Sequence, residues 1–167
     1  MNIHKDIQQR KFASSRHKAL INILFTYGWA LERIKNILAL HDITHQQFNI
    51  LRILRGSFPR PLSTLQIRER MLDKMSDTNR IVDRLILKGL VQKTTSAHDK
   101  RLVDVIITEK GQSLLRAIDE GPDLVMDTMS NISEDEAEQL SLVLDKIRHS
   151  DGIFQASHVR HEEYSTV

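Results

Sequence analysis

At 167 residues, with 40% hydrophobic content and a formal net charge of +2, the chain is long enough to bury the core of one domain. It has no cysteine, which excludes disulfides, thiolate metal sites and cysteine redox switching. The opening MNIHKDIQQRK mixes charge with polarity, unlike a secretory or transit signal, and the most apolar run, residues 19–31, stops at Glu32 and Arg33, too short to span a bilayer, so a soluble cytoplasmic chain with no membrane partner is expected.

In chain order, Leu20, Leu24, Tyr27, Leu31, Ile34 and Leu38 recur at steps of four and three, which predicts a long helix with a wide apolar face. Thr44 followed by Gln47 reads as a capping box opening a second helix through Phe48, Leu51 and Leu54, closed at Gly56. SFPRP makes a connecting turn. Ser63 with Gln66 is a second capping box, with Leu62 and Ile67 as its hydrophobic staple, and opens a short helix to about Leu72. Ser76 is expected to cap the next helix, 76–90, whose Ile81, Val82, Leu85, Ile86 and Leu90 form the buried stripe. Residues 91–95 and 102–108 are β-prone runs separated by a hairpin-length polar loop, SAHDKR. Thr108 starts a helix through Leu114, Leu115 and Ile118, broken at Gly121 and Pro122. Ser133 and Glu136 form a third capping box for a last helix bearing Ala137, Leu140, Leu144 and Ile147. Residues 151–167 have no periodicity and read as a mobile tail.

The small net charge hides a segregation. Residues 52–101 hold twelve Lys/Arg against five Asp/Glu, and residues 102–150 hold four against eleven. A one-signed stretch of this kind suits a polyanion partner. It coincides with the order helix, short helix, helix, two-stranded hairpin, which is a winged helix-turn-helix. The third helix would expose Asp77, Arg80, Arg84 and Lys88 at steps of three and four, with Ser76, Thr78 and Asn79 in its first turn. Small hydrogen-bonding groups there suit base edges and phosphates in a major groove, and the helix amides attract phosphate. At the hairpin tip, Asp99 and Arg101 flank Lys100, so the carboxylate can orient a guanidinium aimed at a minor groove.

The run DRLILKGLVQKTTSAHDKRLVDVIITEKG resembles the signature of the MarR family of bacterial transcriptional regulators, in which a helix ends in Gly-Leu-Val, a wing carries Asp-x-Arg and a strand closes before a Thr-x-x-Gly turn. The similarity extends over about residues 14–149. It implies a mainly α fold with a small β-hairpin: one MarR-like domain over 1–167, with a winged lobe at 44–108 flanked by dimerisation helices at 14–41 and 109–149. It further implies a homodimer that binds a double-stranded, pseudo-palindromic DNA operator, acting as a ligand-responsive repressor and not as an enzyme. By position, Asp99 and Arg101 are the wing residues, and residues 76–80 with Arg84 belong to the recognition helix. Lys93 stands where the family often has arginine, which bears on one phosphate contact.

Family members commonly respond to a small aromatic or phenolic acid, and Arg16, His17, Tyr27 and Trp29 are the candidates for lining such a ligand cleft. The seams of the first and last helices are spaced for packing against other helices. His41 and His45 have a metal-like spacing, which raises a metal-responsive regulator of the same fold as an alternative, but a helix cap falls between them and no metal site or cofactor is assigned. The chain has no Gly-rich phosphate loop, no Gly-x-Ser-x-Gly and no His-Glu-x-x-His, since HEEY at 161–164 lacks its second histidine. The rival reading outside DNA binding is a winged domain serving as a protein-interaction module.

Overall fold

The computed structural model describes residues 2–95, 103–123 and 128–149. The chain divides into two compact units, Met1–Thr128 and Met129–Val167. In the first, a short helix α1 (Ile3–Asp6) precedes the 25-residue α2 (Ser15–Ala39). Ser14 opens α2 by accepting a hydrogen bond from the His17 amide at 3.1 Å. Of α2, only Leu38 is fully buried, with Ile34 packed beside the core.

Helix α3 (His45–Ser57) starts with the expected reciprocal cap: the Gln47 amide donates to Thr44 Oγ1 at 3.2 Å, and the Thr44 amide donates to Gln47 Oε1 at 3.1 Å. It runs through Gly56 to Ser57, one residue beyond the expected stop. Strand β1 (Leu62–Ser63) leads into α4 (Thr64–Arg70), where Ser63 and Gln66 repeat the same box. Helix α5 (Thr78–Leu87) is shorter than the expected 76–90. Its cap is Asp77, not Ser76, because the Asp77 carboxylate takes the Arg80 amide at 3.1 Å while the Ser76 hydroxyl donates to Asp73 Oδ2 at 2.7 Å. Gly89 stops the helix: at φ +70 it turns left-handed, so that its own amide reaches the Ile86 carbonyl and the Leu90 amide reaches the Leu85 carbonyl.

Strands β2 (Val91–Thr95) and β3 (Val103–Ile107) pair antiparallel in the register Val91 to Ile107 through Thr95 to Val103. The expected hairpin is joined by a third strand. β1 lies on the other edge of β3, with Leu62 opposite Val105, giving the order β1-β3-β2. Helix α6 (Glu109–Asp119) is capped by Thr108 and tied to α3 by Asp119, which receives Arg52 at 3.0 Å and Arg55 at 2.6 Å. Gly111 is required here for space: a Cβ at this position would lie 2.3 Å from the Leu90 carbonyl oxygen.

The core of the first unit draws on helices α2 to α6 and on all three strands. Leu38, Ile50, Leu51, Leu54, Ile67, Val82, Leu85, Val105 and Leu115 are essentially inaccessible to solvent. Burying such a side chain contributes about 1.5–3 kcal/mol relative to leaving it exposed. This core holds α4, α5 and the sheet together as one lobe.

The second unit carries α7 (Glu134–Arg148). Its start is the expected Ser133 box, and the hydrogen bonds from the Ser133 backbone and hydroxyl hold the Glu136 carboxyl below its ordinary range. No residue of α7 is buried, and Leu140, Leu142, Val143 and Ile147 are exposed.

Candidate nucleic-acid interface

The surface of interest is built by α4, the connection 71–77 and α5. The fixed point of the connection is Asp73. Its carboxylate accepts the Met75 amide at 3.1 Å through Oδ1 and the Ser76 hydroxyl through Oδ2. Those two hydrogen bonds, the Ser76 one first, hold its pKa below the ordinary carboxylate value. Asp77 is occupied as the helix cap, and Asp83 pairs with Lys93 at 3.1 Å. Three carboxylates of the region are thus directed into backbone groups, a hydroxyl or a lysine. Arg80 and Arg84, in contrast, are exposed and make no ion pair among the described residues. Toward solvent, α5 therefore presents two arginines free to attract anions, beside a helix N-terminus that the Asp77 carboxylate already caps.

The structure sorts the residues expected at this surface. Asn79, Arg80 and Arg84 are exposed on α5. Asp77 is exposed but committed to its cap, and Ser76 is half-buried with its hydroxyl on Asp73. Thr78, expected to meet bases, is only 5% exposed, and its hydroxyl donates to Met71 Sδ at 3.4 Å. A threonine at the first position of the helix here fills the junction with the end of α4. Lys88 also has local work, since its ammonium donates to the Asp42 carbonyl and lies 2.9 Å from the Asp42 carboxylate. Lys93 is exposed and holds Asp83. Asp99, Lys100 and Arg101 lie outside the described residues, as does the tail 151–167.

A cleft of about 540 Å³ opens between the α2–α3 corner and α5, lined by Ala39, Asp42, Ile43, Thr44, Gln47, Arg84, Leu87 and Lys88. None of the four residues expected to line a ligand cleft takes part. Arg16 and His17 sit at the start of α2, where His17 Nδ1 accepts from the Ala13 amide at 3.2 Å. Tyr27 and Trp29 lie ten and twelve residues further along the same helix, about 15 Å or more at its rise per residue. Trp29 instead carries the Arg33 guanidinium 4.6 Å from its ring centroid. His45 stands at the first position of α3, where burial, then the charge of Lys35, lowers its pKa against a smaller opposing effect of Asp73. Among the described residues, no group of three or more His, Asp or Glu side chains is placed to hold a metal ion. No helix among them is long and apolar enough to cross a membrane.

The model of the MarR family matches residues 41–102. The multiple antibiotic resistance protein MarR of Salmonella typhimurium is 28% identical over 116 residues, 68% of this chain and 79% of that protein. A MarR transcription factor from Planctomyces limnophilus has a similar structure, with TM-score 0.62 and 28% identity, covering 81% of this chain and 99% of its own. A cysteine-to-serine mutant of MarR from E. coli, solved in complex with operator DNA, shares the fold with TM-score 0.69 and 23% identity, covering 88% of this chain and 99% of that one.

Proposed function

We propose that the chain is a member of the MarR family, whose model it matches over residues 41–102, and that it is a cytoplasmic regulator of transcription that binds double-stranded DNA sequence-specifically. The observation that carries this reading is the outward pair Arg80 and Arg84 on α5, which has no carboxylate partner among the described residues while Asp73, Asp77 and Asp83 are each engaged elsewhere. Arginines spaced four apart on a helix that begins at an exposed turn suit the major groove, with Asn79 in position to meet a base edge. The operator complex of the E. coli relative supports the same role for the lobe. The wing residues Asp99, Lys100 and Arg101 would add a minor-groove contact beside it.

The working form is a homodimer. On α2, Leu20, Leu24 and Tyr27 are 55%, 58% and 61% exposed, and Leu140, Leu142 and Val143 of α7 are exposed as well. Apolar rows of that extent favour association. Residues 14–41 and 109–149 would supply the dimer helices, and the paired lobes would bind an inverted repeat with half-sites about one helical turn apart. Repression relieved by a small aromatic or phenolic acid completes the proposal, with the cleft beside Arg84 as the place where an acid would meet a cation.

A salt titration of binding to a duplex tests it. DNA binding requires affinity to fall steeply with salt, with a slope of about 0.9 per phosphate neutralised. A chain that binds protein partners through the same fold would show no such slope with any duplex.

A further inference from the structure

The two most exposed large apolar side chains among the described residues are Met75, at 94%, and Leu72, at 90%. Both lie in the connection between α4 and α5. Their exposure is not that of a loose loop. The Leu72 amide donates to Asn49 Oδ1 at 2.9 Å, the Met75 amide to Asp73 Oδ1 at 3.1 Å, and the Lys74 ammonium to the Glu69 carbonyl at 2.7 Å. Asp73 also holds the Ser76 hydroxyl, so the residues on both sides of Met75's side chain are tied down. The backbone thus presents a flexible apolar side chain to solvent two residues before the Asp77 cap of α5.

Leaving a thioether chain in water gains nothing for the fold, since burial is what stabilises it. Around it stand the exposed Lys74, Arg80 and Arg84, together with Asp73 and Asp77, whose carboxylates are held by backbone amides and the Ser76 hydroxyl. For a chain that binds DNA through α5, the occupant is a duplex that offers an apolar spot at the depth the start of that helix reaches. In a duplex major groove the apolar group of that description is the C5-methyl of thymine. We propose that Met75 is a specificity residue that packs on a thymine methyl in the operator. The idea rests on the reading of the chain as a DNA-binding protein and goes beyond it by naming a residue and the base it selects.

The test uses the full chain and the duplex that it enriches from a random pool. Each thymine is replaced in turn by 2′-deoxyuridine, which removes the methyl group and nothing else, and affinities are measured for the wild type, Met75→Ala and Met75→Leu. At one thymine in each half-site, uracil should weaken wild-type binding roughly three- to fivefold, the size expected for burying one methyl group. Met75→Ala should be weaker on the thymine duplex and indifferent to uracil at that position, while Met75→Leu should keep most of the discrimination. Because Met75 is 94% exposed, both variants should melt as the wild type does. An unchanged uracil penalty in Met75→Ala, or no penalty at any thymine, overturns the assignment of Met75 alone. If no duplex is enriched, DNA binding itself falls and this inference falls with it.

Discussion

The Lys88 ammonium lies 2.9 Å from the Asp42 carboxylate and also donates to the Asp42 carbonyl, joining the end of α5 to the corner between α2 and α3. Asp42 adopts a left-handed backbone, φ 53, which turns both its oxygen groups toward the lysine. Both residues line the cleft beside Arg84. A cation already provided with two acceptors has less to offer a phosphate than Arg84, which has no ion pair among the described residues. Arg84→Ala should therefore reduce the slope of log affinity against log salt by about one, and Lys88→Ala by clearly less. Equal losses in salt titrations of the two variants would show that Lys88 leaves Asp42 when DNA binds.

Thr78 and Asn79 are neighbours with opposite fates. The Thr78 hydroxyl is buried against Met71 Sδ and Asn79 faces solvent. Thr78→Val should keep the base preference and alter stability by only about 1 kcal/mol, the usual net value of one hydrogen bond. Asn79→Ala should leave stability alone and relax preference at one base pair of each half-site. Binding-site selection on both variants, with urea melts, separates the two roles.

Gly111→Ala places a Cβ where the Leu90 carbonyl oxygen is 2.3 Å away and an Ile107 side-chain carbon 2.7 Å away. Backbone cannot step aside cheaply, so α6 must shift from the sheet. The expected cost is about 1–3 kcal/mol, read as a lower urea midpoint with an unchanged slope.

His45 supplies a pH dependence. Burial and Lys35 disfavour its charged form in the folded chain, so the unfolded chain binds the extra proton first. Stability from this site is full above the ordinary histidine value of about 6.5. It declines as the pH falls through that value and levels off below the lowered folded one. His45→Gln should flatten the melting temperature across that window. An unaltered pH profile in the variant would place the sensitivity elsewhere.

What the sequence discloses depends on how far apart the interacting groups are. The boxes at Thr44, Ser63 and Ser133 were legible because donor and acceptor lie three residues apart, and the apolar stripe of α5 because its period is local. The cap of α5 was misplaced by one residue: serine and aspartate both cap well, and only the competing hydrogen bond from Ser76 to Asp73 decides between them. Strand β1 has two residues and finds its partners Val105 and Asp104 some forty positions away, so no periodicity announces it. The Lys88 to Asp42 contact, 46 residues apart, is equally silent in sequence. Of the site, the exposed arginines follow from helical spacing, whereas the burial of Thr78 and the exposure of Met75 depend on how α4 meets α5.

On the proposed reading, two α5 helices held by one dimer read one face of a DNA duplex. Affinity for the enriched inverted repeat, compared with the same half-sites separated by five further base pairs, tests this most directly. The insertion turns one half-site to the opposite side of the helix. Binding should fall to the level of non-specific DNA, since each lobe alone retains only half of the phosphate contacts. Equal affinity for the two spacings would contradict a fixed dimer reading adjacent grooves.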